Sequence, residues 1–346
     1  MERQMSFSEM EFANKNRTTR KEKFLSEMAR VLPWTGWCKT IQPYYFEKGN
    51  GREPTPLITM LKMYLLSLWY NMSDESCEDA IHDTHSFKNF IGEHVPDATT
   101  LCKFRKMLER NKLNKKIFQQ EVETLKAHGI IREQGTIVDA TIISAPDSNK
   151  NKERKRNPEF NSTFKGKEVT FGMKSHIGVD EDSGLVHSAF STVAKESDVA
   201  NAGYVVHGKE ERVRGDAGYI GIQKQDEICK KFQDGSGEME IVKRKSDKQF
   251  EVHKKRENIE FIVNRKRCQI TEETKPEEQV KTRVRSKVEH IFLILKHLFG
   301  FRKVRLRTLI ANDERLHMYY ALVNIYKVSK MGCPQKPMEN AILLAA

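Results

Sequence analysis

The sequence predicts an α+β chain: an α-helical N-terminal domain over 1–129, a domain over 130–330 built on a mixed sheet flanked by helices, and a tail over 331–346. Three observations predict it. Between residues 57 and 125 apolar side chains recur at helical spacing; 136–143 and 169–179 read as strands; and after residue 282 helical spacing returns. A chain of 346 residues is long enough for one large or two ordinary domains, each with its own core.

Residues 1–50 read as a mobile or partly helical arm, with Trp34, Trp37 and the Tyr44-Tyr45-Phe46 cluster as docking points. Thr55-Pro56 opens a helix, and 57–70 is apolar nearly all round, so that helix should be buried. Ser73-Asp74-Glu75 starts another, with acidic residues where the helix dipole favours them. Two more follow between Asp97 and Gly129: Leu101, Phe104 and Leu108 mark the first, and Ile117, Phe118, Val122 and Leu125 the second, with Gly129 as its C-terminal stop.

At residue 130 the pattern changes. Thr136-Ile-Val-Asp-Ala-Thr-Ile-Ile143 reads as a central strand, and one carboxylate, Asp139, sits inside it. Burying an unpaired carboxylate costs several kcal/mol or neutralises it, so Asp139 should be paired, hydrogen-bonded or holding a cation. Residues 146–168 form a polar, basic segment carrying Lys150, Lys152, Arg154, Lys155 and Arg156. Over 169–179, Val169, Phe171, Met173, Ile177 and Val179 alternate with Thr170, Lys174 and His176, the pattern of a half-buried strand. Leu185–Val193 is its hairpin partner, and Ser197-Asp198 caps a short helix. Arg212–Asp216 is a further strand, running into Gly215-Asp216-Ala217-Gly218-Tyr219. A helix over 220–232, a Gly-rich turn and a strand over 239–243 come next. Residues 244–287 look like a charged exposed face or loop. The last strong helix begins near 282. Its apolar stripe is Val284, Val288, Ile291, Leu295 and Leu298, and Arg285, Glu289 and Lys296 lie within about 40° of each other beside it.

Composition narrows the function. The apolar run at 57–69 is too short to span a bilayer and is interrupted by Lys62, and the first twenty residues contain no signal-peptide core. Six cysteines without a Cys-x-x-Cys pair argue against structural zinc and a disulfide framework, and fit a reducing cytoplasm. A net charge of +12 favours a polyanionic partner.

The order strand with Asp, two antiparallel strands, helix, strand ending in Asp, helix, strand, helix with Glu is that of a ribonuclease-H-like sheet. The words Val138-Asp139-Ala-Thr-Ile-Ile-Ser-Ala-Pro146, Phe171-Gly-Met-Lys-Ser-His-Ile-Gly-Val-Asp180, Gly215-Asp-Ala-Gly-Tyr-Ile-Gly221 and Arg285-Ser-Lys-Val-Glu289, with Lys296 beyond, resemble the DDE transposases of bacterial insertion sequence family five, within the family-four superfamily. Gly51-Arg-Glu-Pro, Leu68-Trp-Tyr-Asn-Met-Ser73 and Val95-Pro-Asp-Ala-Thr-Thr-Leu-Cys-Lys-Phe-Arg105 resemble that group's N-terminal domain. The resemblance implies Asp139, Asp216 and Glu289 as catalytic metal ligands for two Mg²⁺ ions, which Mn²⁺ can replace; hard oxygen donors suit that ion. It also implies metal-dependent cleavage at element ends and strand transfer into target DNA, with double-stranded DNA as partner, a homodimer at the synapse, no small-molecule substrate, and a place in the bacterial cytoplasm at the nucleoid. Arg285 and Lys296 become phosphate contacts, and Lys174 and the 150–156 cations further DNA contacts. The superfamily pattern has Tyr where this chain has Thr282.

Each residue also has a plain structural reading. Asp139 alone could be a hydrogen-bonded strand Asp, Gly215–Gly218 a turn, and Arg285–Glu289 an ordinary i, i+4 ion pair. Asp180, Asp182 and Asp198 read as turn and cap residues, and His176 as lining a groove or solvent face. The functional alternatives are a catalytically silent DNA-binding regulator or decayed copy, and a nuclease that only hydrolyses.

Overall fold

The computed structural model describes residues 17–46, 53–148, 155–166, 168–225, 228, 239–243, 249–253 and 259–331, with backbone alone for the two short strands 239–243 and 249–253. It divides into two compact units: one of residues 1–67, 72–104 and 328–346, the other of 68–71 and 105–327.

The first unit is helical. Its helices are α1 (Arg20–Val31), α2 (Trp34–Ile41), most of α3 (Leu57–Trp69), α4 (Asp74–Asp83), α5 (His85–Ile91) and the start of α6 (Ala98–Arg110). Within the stretch read as a mobile or partly helical arm, residues 20–44 are therefore largely helical. Thr19 and Glu22 form a capping box: Glu22 N–H donates to Thr19 Oγ1 at 3.2 Å, and Thr19 N–H to Glu22 Oε2 at 2.6 Å. As its composition demands, α3 buries Met60, Leu61, Met63, Tyr64, Leu65 and Leu66 completely or nearly so. Ser73 caps α4 by accepting from Ser76 N–H.

The second unit contains α7 (Leu113–Ala127), then β1 (Gly135–Ser144), β2 (Asn161–Lys165), β3 (Glu168–Asp180), β4 (Val186–Val193), α8 (Asp198–Asn201) and β5 (Arg212–Gly215). After them come β6 (Met239–Lys243), β7 (Gln249–His253), β8 (Glu260–Val263), α9 (Lys275–Leu293), which continues as a π-turn over Ile294–Leu298, and α10 (Leu309–Lys330). The main sheet runs β2-β3-β1-β5-β8, with β4 also on β3. β3 is antiparallel to β1, β2 and β4, while β1–β5 and β5–β8 are parallel, so the sheet is mixed.

The structure departs from the sequence reading in several places. β3 is buried on both faces from Phe171 onward. One face receives α10, whose Tyr320 hydroxyl meets Ser175 Oγ at 2.7 Å; the other belongs to a cluster of Val138, Ala202, Val205, Val206, Val213 and Tyr219. α10 itself was not anticipated, because its middle, Met318–Val323, is buried all round and leaves no stripe to detect. Its Asn324 closes both hydrogen bonds of the Val186 backbone, accepting at 2.8 Å and donating at 2.7 Å. The polar segment 146–168 contains strand β2, the charged stretch 244–287 contains β7 and β8, and α9 begins at Lys275, about two turns before residue 282. Where a helix over 220–232 was expected, Gly221 adopts φ +91°, a short 3₁₀ turn, Ile222–Lys224, follows, and Gln225 is extended; beyond it all but Ile228 lies outside the described residues.

Candidate active site

The β1–β5 register pairs Gly135 with Arg212 and ends with Ile137 opposite Arg214; continued two residues it would bring Asp139 opposite Asp216, whose charge does reach the Asp139 carboxyl. Parallel neighbours lie about 4.8 Å apart and residues in register rise from the same face. Asp216 ends β5 and caps the 3₁₀ turn Ala217–Tyr219, accepting from Gly218 N–H at 2.8 Å. Gly215 is needed before it: a Cβ there would lie 2.8 Å from Tyr219 Cβ, inside the packing of that buried ring.

Asp139 keeps 14% of its side chain exposed. Its carboxyl is pushed up to about 7, chiefly by burial and further by Asp216 and Asp198, while the Ala140 N–H and Arg285 pull the other way. Tyr219 feels the same field: burial first, then Asp139, Asp198 and Asp216 raise its hydroxyl well above the ordinary value. The charges of Asp198 and Asp216 therefore reach Asp139 and Tyr219 alike.

Two cations face this corner of the sheet. Arg285 on α9 spreads its guanidinium between Asp139 Oδ2, 3.4 Å from Nη1, and Glu289 Oε1, 2.7 Å from Nη2. The expected i, i+4 ion pair thus exists, and it is joined to the buried strand carboxylate. Lys174 is 8% exposed, and its ammonium binds Asp198 Oδ1 at 2.8 Å and Glu196 O at 2.7 Å. Its side chain is spent inside the fold, contrary to a surface cation. His176 is also fully buried, not at a groove or solvent face: it stacks on Phe190 with ring centroids 4.8 Å apart and bonds Thr192 Oγ1 at 2.9 Å. Burial pushes it down to about 4, Lys174 adding to this and Asp198 offsetting part.

Hard carboxylate oxygens that raise one another's proton affinity suit a divalent cation. Among the described residues, however, no three His, Cys, Asp or Glu side chains stand close enough together to hold a metal. Asp139 and Asp216 are near enough for their charges to interact; Glu289, 57% exposed, points to Arg285.

A family model described as "Transposase DDE domain" matches residues 131–325. The chain belongs to the DDE transposase family. A second model, "Transposase domain (DUF772)", matches residues 13–107. Among solved structures the chain is similar to the piggyBac transposase in a cryo-EM synaptic complex with hairpin DNA, at 10% identity and a TM-score of 0.36, over 92% of this chain and 75% of that one; a likeness so remote carries no argument.

Lys296, on the π-turn, donates to Ile142 O of β1 at 2.8 Å. Lys155 and Arg156 are exposed; Lys150, Lys152 and Arg154 lie outside the described residues. Thr282 Oγ1 donates to Glu278 O of its own helix at 2.8 Å, a bond tyrosine could not make in that place. Sequence reasoning read Asp198 as a cap residue, and as a substitute third ligand, with Glu277 or Glu278, should Glu289 fail. The signal that it does more was the spacing Lys174-x-His176, two polar side chains on one strand face that both turn out to meet Asp198, His176 Nδ1 at 3.9 Å. No helix among the described residues is long and apolar enough to cross a membrane.

Proposed function

We propose that this chain is a transposase of the insertion sequence family five type, cutting DNA at element ends and joining the freed 3′ hydroxyl to target DNA through Asp139, Asp216 and Glu289. The observation that supports the proposal is Arg285 joining Asp139 to Glu289, with the charge of Asp216 reaching Asp139 from the end of the neighbouring parallel strand. The strand order β4-β3-β1-β5-β8, antiparallel on one side of β1 and parallel on the other, supports a ribonuclease-H-like reading of the domain.

The protein's own groups have definite tasks in this scheme. Asp139 and Asp216, on rigid elements, would hold Mg²⁺ or Mn²⁺, and Glu289 would join them by swinging from Arg285. When bound, the metal supplies activation of the attacking oxygen and charge stabilisation at the leaving one. Arg285, released from the carboxylates, is then free to grip a phosphate bidentately, and its fork shape suits that. Asp198, held by Lys174, adds to the field that raises the proton affinity of Asp139, a field that a bound cation would relieve. In this reading the helical domain, 1–129, recognises the inverted repeats of double-stranded DNA and brings two protomers together at a synapse in the bacterial cytoplasm, and 130–330 is the catalytic domain.

The test is nicking of a labelled element end with Mg²⁺ or Mn²⁺. Asp139→Asn, Asp216→Asn and Glu289→Gln should each abolish cleavage and leave DNA binding largely intact, and a double replacement should be little worse than a single one, because residues acting as a unit lose function non-additively. Full cleavage by Glu289→Gln sinks the assignment. Binding without cleavage by the unaltered chain identifies a regulator, and cleavage without joining a nuclease.

A further inference from the structure

Beyond Arg285 and Lys296, a second set of cations follows strand β1. The chain leaving the π-turn runs back along the strand's end: Ser144 N–H donates to Arg302 O at 3.2 Å, Val304 N–H donates to Ser144 O at 2.8 Å, and Ser144 and Lys303 form a parallel bridge. Phe301 and Val304 point into the core, which turns Arg302, Lys303, Arg305 and Arg307 outward, all four exposed. Neutral acceptors orient two of them. Arg302 donates from Nε to Lys296 O at 2.9 Å, and Arg305 donates from Nε to Asn71 Oδ1 at 3.1 Å and from Nη2 to Asn71 O. Among the described residues no ion pair neutralises any of the four. Next to them Asn157 donates to Arg307 O at 2.6 Å, which brings the exposed Arg156 alongside. One acid, Glu159, stands at the far end, its carboxylate taken by Leu309 N–H at 3.2 Å.

We infer that these side chains form a phosphate track that continues from the carboxylate corner and holds the duplex flanking the cleaved bond. The inference rests on the proposed action on DNA and goes beyond it by naming the surface and the stretch of duplex. Arg285 stands at Asp139, Lys296 at Ile142 and Lys303 at Ser144, so positive charge advances along β1 in one direction. Five residues of strand put Ser144 about 17 Å from Asp139, and at about 3.4 Å per base pair the track meets phosphates about five base pairs from the scissile one. Guanidinium groups already aimed by carbonyl acceptors lose little freedom on binding, and a segment pinned by backbone bonds to a central strand keeps its register with the cutting site. A row of exposed cations at backbone-phosphate spacing suits a duplex, whose affinity comes chiefly from phosphate neutralisation.

The experiment compares the full-length chain with K303A/R307A and with the charge-conserving K303R/R307K, measuring affinity for element-end duplex by fluorescence anisotropy across a salt series. Both side chains are exposed, so the fold should hold, and unchanged melting verifies it. Loss of two phosphate contacts should flatten the log-log salt slope by about 1.8, at about 0.9 per contact, with the Arg/Lys exchange near wild type. Shortening the duplex to about two base pairs on the track side should bring the wild type down to the alanine variant. A steep wild-type slope that K303A/R307A leaves unchanged overturns the track alone. A wild type that binds no duplex overturns the proposed action on DNA, and the track with it.

Discussion

Asp139 offers the most direct quantitative test of the site, and the test needs neither DNA nor metal. Its carboxyl rises from 3.8 to about 7 in the fold, mainly through burial. At about 1.4 kcal/mol per pH unit, keeping that group ionised in the native protein costs about 4 kcal/mol. For an acid whose folded value is raised, the fold gains from the proton: that stability is fully present below the unfolded value and is lost as pH rises through the folded one. Asp139→Asn mimics the protonated acid at every pH. In EDTA the variant should therefore match the wild type near pH 4, gain on it steadily between pH 4 and 7, and level off above pH 7 at about 4 kcal/mol of extra stability. His176 titrates with the opposite sign, since its depressed value favours the fold above the unfolded histidine range. Its contribution is common to both proteins and cancels in the difference. Urea denaturation at half-unit intervals of pH from 4 to 9 reads the curve. Two proteins whose midpoints run parallel across that range would refute the burial of charge on which the site assignment stands.

Two further outcomes follow from the same corner. Arg285→Ala removes a group that holds the Asp139 proton affinity down, so the infrared carbonyl band of the protonated acid, assigned by its absence in Asp139→Asn, should persist to higher pH than in the wild type; an unmoved midpoint counts against the Asp139–Arg285 contact. Lys174→Met leaves Asp198 without its cation and Glu196 O without its donor, at a cost of about 1–3 kcal/mol, discounted because Asp198 is 38% exposed. Adding Asp198→Asn should recover part of that loss, and a purely additive double mutant would show that the pair is not coupled.

Much of this protein was legible before any tertiary contact. The all-round apolar run at 57–69, the Ser73 cap, and the strands at 136–143 and 169–179 follow from local propensity and periodicity, and all are present. The acids and cations of the corner stood out because a carboxylate within an apolar strand, or on the flank of an apolar stripe, needs a reason. What periodicity cannot report is burial from two sides. It reads a strand as half-buried when only one face alternates, and so Lys174 and His176 looked solvent-facing although a second layer covers them. For the same reason α10, apolar in every direction, escaped detection, and β8, set by parallel pairing with β5, left no mark in a charged stretch. Asp198 joined the corner because the chain after β4 folds back over β1 and β5, and the cations at 302–307 gained a direction because Ser144 holds their backbone. Local sequence determined which groups each element carries. Tertiary structure decided which of them share a field, because a neutralised acid or an oriented cation is made by neighbours far away in the chain, and no local pattern encodes their distance.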